Sequence, residues 1–205
     1  MLKRENIQDP KIQGYLDILE AKAQRLKHLT EDVVEASKIS SGNITMEYMN
    51  INFVEMINQT TGEFAEKFEK RNLQIVLNVP EKPVMVRTDG RRMWRVIENI
   101  YNNAAKYALE GTRVYADLIE KEHTVEFSLK NISEQPLNIS ADELTERFIR
   151  GDVSRSTEGS GLGLSIAKNL TELQGGKFEL YLDGDLFKVT IVFPKAVVGQ
   201  SVTKS

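Results

Sequence analysis

The most chemically loaded stretch of the sequence is RVIENIYNNAAKYA, residues 95–108. At about 100° per residue on a helix, Asn99, Asn103, Lys106 and Tyr107 share one face, and Val96, Ile97, Ile100 and Ala104 turn toward the other. Asparagine suits a helix interior poorly because its side chain competes for backbone hydrogen bonds, so Asn99, Asn102 and Asn103 each carry a cost relative to alanine. Two readings are open: a solvated polar stripe, or a site in which a neutral amide oxygen ligates Mg2+ and Lys106, one turn on, meets a phosphate. A second stretch, EGSGLGLSIAKNL (residues 158–170), places Gly159, Gly161 and Gly163 two apart at the start of a helical pattern. Such glycines offer backbone N–H groups and the positive helix end to an anion, although they can equally serve close packing. The spacing fits neither GxxxxGK[ST] nor the GxGxxG dinucleotide fingerprint. Between the two lies ERFIRGDVSRS (residues 146–156), where Arg147, Arg150 and Arg155 make either a lid able to close over phosphates or an ordinary charged loop.

These residues need a scaffold, and the pattern along the chain predicts one. Asp9-Pro10 reads as an N-cap followed by proline at the first helical position, opening a long helix over 9–38. Its apolar residues Ile12, Tyr15, Leu19, Leu26, Leu29, Val33 and Ala36 follow a seven-residue spacing with one gap at Lys22, which favours a coiled-coil or bundle helix seeking a partner over a helix packed on its own domain. Ser40-Ser41-Gly42-Asn43 predicts a helix stop and a domain boundary. Beyond it the spacing predicts an extended stretch over 45–51, a helix from Asn52 to about Arg71, strands over 73–79 and 83–88, and a helix capped by Asp89-Gly90 running to about Leu109. A hairpin over 113–120 and 124–131, a polar lid over 132–160 with a helical piece at 141–150, a helix over 161–173, and strands over 177–182 and 186–193 complete the reading. Strands in consecutive pairs with helices between them predict an α+β sandwich: one mixed, mostly antiparallel sheet with helices on one face. The expected division is 1–42 for the stalk helix, 43–195 for the sandwich and 196–205 for a frayed tail.

Composition narrows the chemistry. The 205 residues carry a net charge of -3, so no global positive field exists to hold nucleic acid, and an anionic ligand must be met locally. With no cysteine and two histidines, thiolate chemistry and His-rich metal sites are excluded, which leaves oxygen ligands for any metal. No apolar run reaches the roughly 18–20 residues of a membrane span, and MLKRENIQDP lacks the apolar core of a signal peptide, so the chain is expected to be soluble and cytoplasmic.

Taken together, NIYNNAAKYA resembles the N box, ERFIRGDVSRS the F box and GSGLGL the second glycine box of bacterial sensor histidine kinases. Their order matches the ATP-binding catalytic domain of that family, a Bergerat-type sandwich shared with gyrase and Hsp90 ATPases. The resemblance implies ATP and Mg2+ as ligands. Asn103 would be the metal ligand, Asn99 and Lys106 would line the phosphates, Tyr107 would sit by the nucleotide, and Arg150 would contact the γ-phosphate. Gly159, Gly161, Leu162, Gly163 and Leu164 would hold the lid's end against the phosphates. In place of the family's Asp-x-Gly-x-Gly the chain has Asn131-Ile132-Ser133-Glu134-Gln135. Asn131 keeps an acceptor for the adenine amino group but loses the charge assistance of a carboxylate.

By the same resemblance the helix over 9–38 looks like the second helix of a dimerisation and phosphotransfer hairpin. Neither His28 (RLKHLTED) nor His123 (KEHTVE) has the context of a phosphoacceptor, so both are expected to be surface or packing residues and the fragment is not expected to phosphorylate itself. The implied activity is transfer of the ATP γ-phosphoryl group to a histidine on a helix outside this chain. The implied partners are a response regulator and a second copy, bound through the N-terminal helix of a membrane-anchored parent. Two other readings remain: an ATPase or serine-directed kinase on the same fold, and a non-catalytic dimerising module. Asn99 stands where the related ATPases place a glutamate base, and Glu98 points about 100° away round the helix, which argues against hydrolysis.

Overall fold

The computed structural model describes residues 9–42, 44–137, 140, 141, 144 and 161–196. A helix α1 (Pro10–Ser40) starts where expected, with the Asp9 carboxylate accepting from the Lys11 amide at 2.8 Å and proline in the first turn. β1 (Tyr48–Asn52) leads into α2 (Phe53–Glu69), capped by Asn52, and β2 (Gln74–Asn78) follows. β3 (Met85–Asp89) feeds α3 (Gly90–Tyr107), where the Asp89 carboxylate accepts from the Arg92 amide at 3.0 Å. Burial opposes ionisation of Asp89, but the amides of Glu47 and Arg92 and the Arg92 charge outweigh it and hold its carboxyl below the ordinary range. β4 (Arg113–Glu120) and β5 (Thr124–Ile132) form the hairpin, α4 (Gly163–Leu173) follows, and β6 (Lys177–Asp183) and β7 (Leu186–Pro194) close the chain.

The strands do not form one sheet. β1 and β3 pair as a separate antiparallel ribbon, and the other five make a sheet in the order β2-β4-β5-β7-β6, with only β2 and β4 parallel. Period-2 patterns choose a strand's buried face but not its neighbour, so the ribbon was not legible from 83–88 alone. Val125, Phe127 and Leu129 of β5, and Phe187, Val189, Ile191 and Phe193 of β7, face the helices and bury a core with Phe53, Phe68, Tyr101 and Leu170. Tyr101 stacks on Phe127 with ring centroids 6.3 Å apart, and its hydroxyl shares a 2.8 Å hydrogen bond with Thr61. Burial pushes that phenol up to about 12.

Two expectations are corrected. The fold continues two residues past Pro194, where the Lys195 amide donates to the His123 carbonyl at 2.9 Å, the Ala196 amide to Met85 at 3.0 Å, and Ala196 is buried; the rest of the expected tail lies outside the described residues. The α4 helix begins at Gly163 rather than Gly161, which lies in the left-handed region at φ +71°. The predicted helical piece at 141–150 falls mostly outside the described residues.

Candidate functional site

The α3 helix carries the asparagine face into the sandwich instead of out to water. Val96, Ile97, Ile100 and Ala104 are fully in the core, and Asn99 is only 8% exposed, which overturns the solvated-stripe reading at that position. Its Nδ2 is buried with no hydrogen-bond partner among the described residues. Its Oδ1 lies against the first turn of α4: a methyl added at Gly163 would stand 3.1 Å from it. Glycine at 163 therefore lets α4 approach Asn99, and the fold brings together two segments 64 residues apart in the chain, residues 99 and 163. Leu162 gives α4 no side-chain cap, and the positive end of that helix lies beside Asn99.

One turn on, Asn103, Lys106 and Tyr107 are half-buried, with the Lys106 ammonium 4.8 Å from the Tyr107 ring centroid. Asn102, the remaining asparagine, turns to α2 and accepts from the Lys67 ammonium at 2.6 Å. Burial lowers the pKa of Lys67, against the opposing charge of Glu98. Glu98 itself accepts from Arg95 at 2.6 Å, which engages the one carboxylate near Asn99 on this helix in an ion pair.

Asn131, at the end of β5, is 3% exposed. Its Nδ2 donates to the Ile132 carbonyl at 3.1 Å, and its Oδ1 is buried without a hydrogen-bond partner among the described residues. The following residues are fastened to the end of α3: the Leu109 amide donates to Ile132 at 2.8 Å, the Glu134 amide to Tyr107 at 2.8 Å, and Ser133 bridges to Ala108. The expected lid is thus anchored at its beginning, through Glu134. Arg71, in the turn just after α2, donates to the carbonyls of Ala105 and Lys106 and to the Glu134 carboxylate, the last at 2.8 Å. No local pattern in the sequence marks Arg71, because all three of its acceptors lie more than thirty residues away.

The structure therefore sets Gly163, with Gly161, Leu162 and Leu164 beside it in the chain, against Asn99 at the middle of α3, and places Asn103, Lys106, Tyr107 and Asn131 toward the C-terminal end of that helix. Arg147, Arg150, Arg155 and Gly159 lie outside the described residues. His28 and His123 are exposed on the surface, each near a glutamate, in agreement with expectation. Among the described residues no group of three or more His, Asp or Glu side chains could hold a metal ion, so a metal here would rely on an asparagine oxygen together with the ligand's own oxygens.

The profile of the histidine kinase-, DNA gyrase B- and HSP90-like ATPases matches residues 88–197. The sensor protein KdpD of Clostridium acetobutylicum is 31% identical over 176 residues, covering 81% of this chain and 19% of its own length. The chain thus spans about a fifth of that relative. Among solved structures, the catalytic domain of histidine kinase ThkA has a TM-score of 0.63 at 26% identity, covering 73% of this chain and 97% of that one. Histidine kinase ThkA in complex with the response regulator protein TrrA has a TM-score of 0.68 at 23% identity, covering 94% of this chain and 54% of that one.

Proposed function

This chain belongs to the histidine kinase-, DNA gyrase B- and HSP90-like ATPase family, and we propose that it is the ATP-binding catalytic portion of a sensor histidine kinase, transferring the γ-phosphoryl group of ATP to a histidine on a partner helix. The observation that supports this reading is a pair of buried amide atoms without partners among the described residues. Asn99 presents an orphan donor beside the uncapped start of α4, and Asn131 presents an orphan acceptor beside the end of α3. Buried polar atoms are rarely left unpaired, because each costs about 1–3 kcal/mol, so two of them flanking one helix mark where a ligand's complementary atoms belong. A donor suits a phosphate oxygen, and an acceptor suits the amino group of adenine.

Each residue then has a task. Asn131 accepts from the purine amino group, and the Ile132 carbonyl holds its amide with the oxygen free to do so. Asn99 Nδ2 and the first amides of α4 donate to phosphate oxygens, and Lys106 adds a cation. Asn103 offers an amide oxygen to Mg2+, which when bound with the nucleotide neutralises phosphate charge. Arg150 reaches the γ-phosphate in this reading. Glu98, the one carboxylate of α3, is engaged by Arg95 and so is not set to activate water beside Asn99, which favours transfer over hydrolysis. The response regulator partner follows from relatives such as ThkA, and α1 supplies the dimer contact within a membrane-anchored parent; among the described residues no helix is long and apolar enough to cross a membrane.

Titration calorimetry tests the site. Asn103→Ala removes an oxygen from a half-buried face of α3, so Mg-dependent binding of ATP should fall by about a hundredfold or more while the fold stays intact. Equal affinity in variant and wild type would return this face to a structural role, and a wild type that binds no Mg-ATP would favour a non-catalytic dimerising module.

A further inference from the structure

We propose that Arg71 is a positioning residue for the purine end of this site, acting as a charge clip that keeps Asn131 and Tyr107 at their working separation; the proposal rests on the nucleotide-site reading above. The argument begins with charge. The C-terminal end of α3 exposes carbonyl oxygens carrying the negative end of the helix dipole, and acidic groups there are unfavourable. The chain nonetheless brings a carboxylate to that end: the Glu134 amide bonds to the Tyr107 carbonyl at 2.8 Å, so the Glu134 side chain is held beside the last turn of the helix. Arg71 resolves the conflict. One guanidinium nitrogen donates to the Ala105 and Lys106 carbonyls and another to the Glu134 carboxylate at 2.8 Å, so a single cation lies between two negative groups that would otherwise repel.

The clip is itself fixed in place. Three residues after the end of α2, Asn72 adopts a left-handed conformation at φ 52°, and the Leu73 amide returns to the Phe68 carbonyl at 2.9 Å, so the chain reverses immediately after Arg71. Leu73 and Phe68 are buried, which anchors that reversal in the core. Arg71 is 26% exposed at its side chain and Glu134 48%, so the pair is partly desolvated on the arginine side only. Where the resembling family has glycines two and four residues after the purine-contacting residue, this chain has Ser133 and Gln135, and Glu134 between them brings its carboxylate against α3. Arg71 makes that possible. Without it, repulsion between Glu134 and the helix end pushes residues 131–134 away from α3, and the orphan acceptor of Asn131 moves relative to Tyr107.

The decisive experiment is a double-mutant cycle on the full chain with two probes, adenosine and Mg-ATP, bound to wild type, Arg71→Ala, Glu134→Gln and the double variant. Arg71→Ala should bind both probes about tenfold more weakly, by the same factor, because the purine is common to both. Glu134→Gln alone should change little, and it will fold because the side chain is largely in water. The double variant should recover affinity relative to Arg71→Ala, since removing the carboxylate removes the repulsion; a purely structural loss of carbonyl bonds would not be rescued. Hydrogen exchange of the Glu134 amide should accelerate in Arg71→Ala and slow again in the double variant. Arg71→Ala binding adenosine as wild type does, or a double variant no tighter than Arg71→Ala, would overturn the clip. A wild type that binds neither probe would instead remove the site reading itself, and the clip would fall with it.

Discussion

Along α3 and β5, Asn99 and Asn131 are polar side chains taken out of water with one amide atom each left unpartnered, whereas along α1 apolar side chains such as Tyr15, Leu19 and Leu26 are left in solvent. The two regions depart from ordinary burial in opposite directions, and the difference says what each lacks. A buried donor or acceptor asks for a polar atom at one point in space, so it selects a small ligand of defined hydrogen-bonding pattern. An exposed apolar stripe asks for area, which only another extended surface can give. Between them lies a junction that lacks nothing. Each of three nitrogens of Arg95 meets a different carboxylate, Asp32, Glu35 or Glu98, while Arg92 bonds Glu35 at 2.9 Å, and all these side chains are under a quarter exposed.

If that junction is what separates the two regions, removing its centre should have the largest effect on stability. Arg95→Ala takes the shared cation from three partly desolvated carboxylates, an uncompensated loss worth about 3–5 kcal/mol. We expect a lowered urea midpoint for the whole chain and accelerated hydrogen exchange over residues 29–40 of α1. Burial opposes charging of Arg95, but Glu98, Asp32 and Glu35 outweigh it and raise its pKa, so the loss should persist at every pH where those carboxylates are ionised. A melt indistinguishable from wild type would mean that α1 is held by its remaining contacts, among them Ala36, Ile39 and the Arg92–Glu35 pair.

The local elements were legible because their signals are local. Asp9 and Asp89 cap the helices they were expected to cap, and α2 starts just after Asn52, where a helix was expected to begin. The junction was not legible, since Arg92 and Arg95 lie 57 to 63 residues from their α1 partners and charged residues on a helix read as a solvated face. The heptad pattern was half right for the same reason: Leu29 and Ala36 turn partly toward the domain, and Leu19, Leu26 and Val33 do not. At the site, the helical period grouped Asn99 with Asn103 correctly, but only the packing of α4 through Gly163 explains why Asn99 is buried.

A smaller effect, with a change of sign, should appear at Asn131. Asn131→Leu removes an unsatisfied buried acceptor at similar volume, and the Ile132 carbonyl it leaves still accepts from the Leu109 amide at 2.8 Å. The nucleotide-free chain should therefore gain about 1 kcal/mol while ATP affinity falls by about a hundredfold. Asn131→Asp should do the reverse, losing stability by burying a carboxylate without a donor and gaining affinity through a charge-assisted bond to the purine amino group. Chemical denaturation and calorimetry on the same two variants read both quantities. A destabilised Asn131→Leu would show that the orphan oxygen is already satisfied in solution.

The smallest effect on the isolated fold belongs to the stalk. Leu19 and Leu26 are 61% and 62% exposed, so replacing both with glutamine, a residue of similar helix propensity, deletes almost no burial within one chain. Fold stability at low protein concentration should move by less than about 0.5 kcal/mol. Self-association is where the change should register. If α1 pairs with a second copy along this stripe, wild type should sediment as a concentration-dependent monomer and dimer, and the double variant as monomer, because two polar amides would replace the apolar centre of the seam. The two measurements separate area that stabilises the chain from area that stabilises its partnership. Lost stability in the dilute monomer would show that α1 folds back on its own domain through Leu19 and Leu26, and the contrast between stalk and site would then be one of degree.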